Sequence, residues 1–234
     1  MDWNINVDST SIRAHQHAAG APTNPPPAPP GASKGVSQGS VHLHAHALAP
    51  PPGGGGAAGE ALGRSRGGLT TKIHLATDGK CRPLSLVLTP GQRADCTQFE
   101  PVMDKIRVPR LSAGRPRKRP NSVGADKAYS NSLIRSYLRR RGIRRVIPEK
   151  SDSKVPRWRR GSNGGRFRGF DGDRYSARNT VERAINKIKQ FRTVASRYDK
   201  RGHVFLGTVT AAALLIWLRS GPGTLTASGR CVSE

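Results

Sequence analysis

Two runs of apolar alternation constrain this chain most: Leu69, Thr71, Ile73 and Leu75, then Leu84, Leu86 and Leu88. A period of two turns one face to a core and leaves the other polar, the pattern of a half-buried strand. Asp78-Gly79 lies between the runs and is a turn pair, so the two close as an antiparallel hairpin. Trp3, Ile5 and Val7 alternate with polar residues ahead of Asp8, which predicts an earlier short strand ending at that aspartate.

Helical spacing takes over downstream. A helix starts near Thr97 and carries Phe99, Val102, Met103 and Ile106. Arg107 to Pro120 reads as a basic loop, after which Val123 and Ala125 lead a fourth strand into Asp126. Ser130 or Asn131 caps a helix with Leu133, Ile134, Tyr137 and Leu138, which stops at Gly142. Ile143 to Ile147 makes a fifth strand, closed by Pro148, and residues 149–174 read as a second basic, Gly-rich loop. A helix around Glu182 and an apolar C-terminal helix complete the order. Strands followed by alternating helices predict an α/β fold, a mixed five-stranded sheet flanked by helices.

Residues 20–60 stand apart, with nine of the 18 prolines, nine of the 27 glycines and only Lys34 and Glu60 charged. Such a segment cannot bury enough apolar surface to offset its ordering entropy. It reads as a disordered insertion, and 220–234 as a disordered tail, leaving one domain formed by 1–19 and 61–219. His42, His44 and His46 alternate inside the insertion; a solvated loop is the plainer reading, a transition-metal chelate the sharper one. The apolar stretch Val204 to Leu218 is 15 residues long and broken by Gly207, Thr208 and Thr210, short for a membrane span. Cys81, Cys96 and Cys231 show no CxxC spacing, which fits a reducing cytoplasm.

The net charge is +25, from 40 Lys and Arg against 15 Asp and Glu. That imbalance favours a polyanion, and nucleic acid first. With aromatic content at 5%, a stacking platform for single strands is poorly supported, so duplex DNA is the expected partner. Arg139, Arg140, Arg141, Arg144 and Arg145 form one cluster suited to phosphates. Arg159 and Arg160 belong to a second, with Arg157, Arg166 and Arg168 around Trp158. Trp158 is either a wedge into distorted DNA or a cap on the core. Lys127 could contact phosphate beside Asp126, and His74 reads as a satisfied structural histidine.

Against so few acids, three carboxylates draw notice. Asp8 and Asp126 each end an alternating strand and point away from its apolar face. On adjacent central strands they would stand side by side, where like charges need a cation, and oxygen ligands alone suit Mg²⁺ or Mn²⁺. At roughly 100° per residue, Tyr175, Arg178, Glu182 and Lys189 fall within about 60° on one helix. The stripe offers a metal-binding acid flanked by phosphate-binding cations. The bland alternative is a capping box, Asn179 with Glu182 three residues on, and for each aspartate alone a strand-end turn. Three acids together can hold two ions roughly 4 Å apart, suited to phosphodiester cleavage.

These residues resemble the catalytic half of a DDE transposase of bacterial insertion sequences, in the insertion-sequence-five group of the insertion-sequence-four superfamily. The resemblance rests on VDSTSIRAHQHAAGA around Asp8, GRSRGGLTTKIHLATDG, LTPGQRAD, and VGADKAYSN around Asp126. It rests also on the Tyr-Arg-Glu-Lys spacing and on FRTVASRYDK, and spans residues 2–18 and about 61–218. It implies a ribonuclease-H-like fold with Asp8, Asp126 and Glu182 as catalytic and metal-binding triad. It also implies cleavage at terminal inverted repeats and joining of the freed 3′ hydroxyl to target DNA. Candidate partners are element ends, target DNA, a second copy of the chain on DNA and an upstream reading-frame product; the expected location is the bacterial cytoplasm, at the nucleoid. The family usually carries a helical N-terminal region before its first aspartate, and its link after the first strand is shorter than 20–60. The alternative is an inert remnant that only binds DNA.

Overall fold

The computed structural model describes residues 3–20, 60–110, 113–164 and 170–220. In chain order its elements are β1 (Asn4–Ala14), α1 (Gln16–Ala19), β2 (Gly63–Ser65), β3 (Gly68–Asp78) and β4 (Pro83–Pro90). Then come α2 (Phe99–Asp104), β5 (Ser122–Ala125), α3 (Ser132–Arg140), β6 (Arg144–Val146), α4 (Ser151–Arg159) and α5 (Gly172–Ser176). The last are α6 (Asn179–Lys189), α7 (Arg192–Ala195), β7 (Ser196–Arg197) and α8 (Gly202–Arg219). The hairpin expected at Asp78-Gly79 is present, β3 against β4, and β1 pairs antiparallel with the other edge of β3. β5 runs parallel to β1, and β6 parallel to β5.

The five expected strands thus lie in the order β4-β3-β1-β5-β6, a mixed sheet of the ribonuclease-H-like kind. Among the described residues the sheet has seven strands, not five. β2 and β7 are three and two residues long, too short to leave an alternation in the sequence. Each extends a longer strand's edge: β2 beside the start of β3, β7 beside the end of β1.

Each face of the sheet carries its own core. Ile5, Val7, Val123 and Ala125 face Phe99, Val102 and Met103 of α2 and Ile134 and Leu138 of α3. Ile12, Ile73, Leu75 and Leu88 face Val181, Ala184 and Ile188 of α6 and Phe205, Val209 and Ile216 of α8. By length and composition α8 could cross a membrane, but here that one row of its side chains lies in the core while Leu214 and Leu218 face outward. Asn131 caps α3, its Oδ1 accepting from the Ile134 amide at 2.7 Å.

Four expectations need correction. β1 does not end at Asp8 but runs to Ala14, because β3 continues to pair with it as far as Arg13↔Thr70. The region 149–174 is not all loop: it contains α4 and α5, hidden in the sequence by Pro156 within α4 and by the surrounding glycines. Tyr175 and Glu182 do not share one helix, since the chain breaks after α5 and Arg178 stands at the N-cap of α6 without a side-chain cap bond. Glu60 belongs to the fold, 6% exposed, because its carboxylate pairs with Arg201 at 2.8 Å and accepts from the Gly202 amide at the start of α8. Residues 21–59, with His42, His44 and His46, and the tail 221–234 lie outside the described residues.

Arg197 ties three separated segments of the chain together. It is fully buried, and its guanidinium donates to Glu60 O at 2.8 Å, Thr71 Oγ1 at 2.6 Å, Asp199 O at 2.9 Å and Lys200 O at 3.1 Å. Carbonyl and hydroxyl dipoles from three separate segments meet its charge, with the Phe205 ring 5.3 Å away. An ammonium cannot reach such diverging acceptors. Arg197→Met should therefore lower unfolding free energy by on the order of 3 kcal/mol, read as a shifted urea midpoint, and Arg197→Lys should recover little of it.

Candidate active site

β5 stops at Ala125, whose register partner on β1 is Val7. The next residue on each strand is an aspartate, Asp8 and Asp126, on parallel backbones roughly 4.8 Å apart. Both point away from the face that carries Ile5, Val7, Val123 and Ala125. Each is held by the amide that follows it: Ser9 N donates to Asp8 Oδ1 at 2.8 Å, and Lys127 N to Asp126 Oδ1 at 2.7 Å. Among the described residues, β1 has no strand partner on this edge between Val7 and Arg13, because β5 ends before that stretch and β7 begins after it. The aspartates therefore open to a gap in the sheet.

α6 brings the third acid. Glu182 lies in its first turn, with its side chain 48% exposed. Arg178 links it to the sheet: Nη1 lies 3.3 Å from Asp8 Oδ2, and Nη2 donates to Glu182 Oε1. The guanidinium also stands over the Tyr175 ring, 5.6 Å from its centroid, so Tyr175 keeps its place beside Arg178 despite the helix break. Burial raises the Asp8 carboxyl above the usual carboxylate range. The Ser9 amide and Arg178 oppose that rise, while the negative charges of Asp126 and Glu182 add to it. Asp8 is thus the meeting point of the three charges.

The donor set is all carboxylate, which fits a hard divalent cation such as Mg²⁺ or Mn²⁺. As the side chains stand, no three His, Cys, Asp or Glu among the described residues are gathered at ligating distance; the Arg178 guanidinium sits between Asp8 and Glu182 as their counter-charge.

The remaining site candidates spread over the surface. Lys127 is exposed next to Asp126, and Lys189 is half-buried in the last turn of α6, roughly 10 Å along the axis from Glu182. Arg139, Arg140 and Arg144 are exposed and Arg145 is half-buried. Arg145 is level with Val123, so it lies roughly 10 Å along the sheet from Asp126. Arg141 is used within the protein, bonded to Asp104 at 3.1 Å, to Lys118 O at 3.1 Å and to the Tyr137 hydroxyl. Arg159 and Arg160 are exposed at the end of α4, and Trp158 beside them is 76% exposed, which removes the core-cap reading. Arg166, Arg168 and the side chain of Arg157 lie outside the described residues. His74 is structural: Nε2 meets Thr89 Oγ1 at 2.8 Å, and burial lowers its pKa to about 4, so it is neutral.

A profile of the transposase DDE domain family matches residues 3–217. The chain belongs to this family. It is 33% identical over 141 residues, 60% of its length, to a Burkholderia cepacia protein named for the transposase of insertion sequence element IS402. It spans 58% of that relative's length. It is 28% identical over 155 residues, 64% of its length, to a Brucella ovis protein named for the transposase of element IS6501, all of which is covered. No solved structure matches the chain.

Two residues of this transposase domain escaped the sequence reading. Asn6 lies two positions before Asp8, on the same face, and its Nδ2 donates to Thr180 Oγ1 at 2.8 Å and Ala177 O at 3.1 Å. That buried amide docks the first turn of α6, and hence Glu182, onto β1. It crosses Gly124, where a Cβ would stand 2.2 Å from Asn6 Oδ1. The signal was available: Asn6 and Asp8, and Gly124 and Asp126, share one strand parity. Gly124→Ala should push the amide aside and cost about 1–3 kcal/mol of stability. Asn6→Ala should leave Thr180 and Ala177 without that donor and loosen α6, read as faster hydrogen exchange in its first turn, with Gly124→Ala partly reproducing the change.

Proposed function

We propose that this chain is a DNA transposase, cutting phosphodiester bonds at element ends and joining the freed 3′ hydroxyl to target DNA. One observation carries the reading: the β1–β5 register sets two aspartates level at the open end of the sheet, and Arg178 ties the first of them to Glu182. Asp8, Asp126 and Glu182 would hold Mg²⁺ or Mn²⁺ there. Such ions, when bound, activate a water or hydroxyl as nucleophile and stabilise the leaving oxygen.

The chain's own residues do the rest. The amides of Ser9 and Lys127 each bond one oxygen of the aspartate before them and so orient it. Arg178 holds Asp8 and Glu182 together, and with Tyr175 beside it is placed to take a phosphate oxygen once the carboxylates have another counter-charge. Lys127 and Lys189 flank the acids along the same path. Arg139, Arg140, Arg144, Arg145, Arg159 and Arg160 extend a phosphate-binding surface beyond it, while Arg141 is engaged inside the protein. Exposed Trp158 offers an aromatic face to distorted DNA. Phosphate contacts of this kind give affinity with little sequence preference, and binding that weakens steeply with salt. End recognition then falls to a further region or partner, in a bacterial cytoplasm with access to the chromosome.

Glu182→Gln tests the division of roles. It should abolish Mg²⁺-dependent nicking and joining of an inverted-repeat duplex while DNA affinity stays equal or rises slightly, because a negative charge near phosphate is gone. Loss of binding as severe as the loss of joining would defeat the division. Absence of nicking by the unaltered chain would leave a basic DNA-binding protein.

A further inference from the structure

Behind Asp8, on the other face of the sheet, lies a second polar cluster that the proposed chemistry does not use. Asp95 opens the short turn after β4, within LTPGQRAD. Its Oδ1 accepts from Ser9 Oγ at 2.7 Å and lies 2.9 Å from Lys72 Nζ. Lys72 also donates to Arg93 O at 2.8 Å. His74, the register partner of Ser9, brings Nδ1 to 4.0 Å from the same carboxylate oxygen. Tyr129, three residues after Asp126, is 2% exposed and points its hydroxyl into the same region, where the charges of Asp95 and Asp8 both reach it. Among the described residues His74 Nδ1 has no hydrogen-bond partner, while the Ser9 side chain stands beside the Tyr129 hydroxyl and opposes the rise that burial gives it. Burial works against the charge of Asp95, but the bonds from Ser9 and Lys72 and the lysine's charge outweigh it and hold the carboxyl below its usual range. Ser9 and Lys72 thus hold the Asp95 carboxylate in place.

Ser9 connects this anion to the site. Its side chain is held by Asp95 from one face, and its backbone amide donates to Asp8 Oδ1 on the other. We propose that Asp95 is a positioning residue for Asp8: by clamping Ser9 it fixes the amide that holds Oδ1, so that Oδ2 is the oxygen presented to a cation. The chain Asp95–Ser9–Asp8 does for a carboxylate what an outer hydrogen bond does for a ligating histidine. Lys72 neutralises Asp95, so a fourth acid can stand close to three others without adding to their mutual repulsion. The proposal rests on the metal-binding reading of Asp8.

Titration of Mn²⁺ into the DNA-free chain, followed by calorimetry, gives a readout apart from activity. Ser9→Ala and Asp95→Ala, each of which removes the Ser9–Asp95 bond, should weaken Mn²⁺ binding by about tenfold, the lower end for lost outer contacts. Ser9→Thr, which keeps the hydroxyl, should stay within about twofold of the unaltered chain, well short of that tenfold loss. Lys72→Met, which removes the ion pair but leaves the Ser9–Asp95 bond, should lower the melting temperature while leaving Mn²⁺ affinity nearly intact. If Asp95→Ala does not fold, Ser9→Ala, the loss of one hydroxyl, decides alone. Equal Mn²⁺ affinity in Ser9→Ala and the unaltered chain overturns the positioning role. No Mn²⁺ binding by the unaltered chain overturns the metal reading beneath it.

Discussion

Three carboxylates brought together in a chain this basic form a constraint that the rest of the molecule answers. Parallel pairing of β1 with β5 stops one residue short of both aspartates, so neither is separated from the other by further sheet. Like charges at that spacing repel, and the burial of Asp8 makes its ionised form costlier still. The protein meets the charge locally with two backbone amides and one guanidinium. Arg178 is that guanidinium, shared between a strand and a helix, and its position between Asp8 and Glu182 marks where positive charge is wanted.

The scaffold holds this geometry from both faces. On one, Asn6 reaches over Gly124 into the first turn of α6, so the helix bearing Glu182 is registered against the strand bearing Asp8. On the other, Asp95, Lys72 and Ser9 brace the same stretch of β1 from behind. Further along, Arg197 fastens β7, beside the end of β1, to the backbone at Glu60. A site built on a central strand with support from both faces is better held than one carried by loops.

Much of this was legible in the sequence. Alternation at Ile5, Val7, Val123 and Ala125 placed both aspartates on the polar face of neighbouring strands, and the Asp78-Gly79 turn fixed the hairpin. Apolar spacing located α3 and α6. What was not legible lacks periodicity: Ser9 to Ser11 carry no apolar alternation, so β1 seemed to end at Asp8, and β7 is only two residues long. α4 buries none of the side chains described for it, which left Pro156 and the glycines as the dominant local signals. Helical arithmetic put Tyr175 and Glu182 on one stripe, whereas a break before Arg178 divides them, and the contact survives through the arginine itself. Arg141 shows the limit of reading charge runs: it is as half-buried as Arg145, yet its guanidinium is bonded to Asp104, the Tyr137 hydroxyl and Lys118 O.

The central claim is that Asp8, Asp126 and Glu182 form one divalent-ion site, and iron-directed backbone cleavage tests it most directly. Fe²⁺ accepts the same oxygen ligands as Mg²⁺ and Mn²⁺, and with ascorbate and peroxide it cuts peptide bonds close to where it is bound. Fragments ending near residues 8, 126 and 182 together, competed away by Mg²⁺ and absent in Asp8→Asn, are the expected result. Cleavage confined to the segment around His42, His44 and His46, or none that Mg²⁺ suppresses, would contradict it.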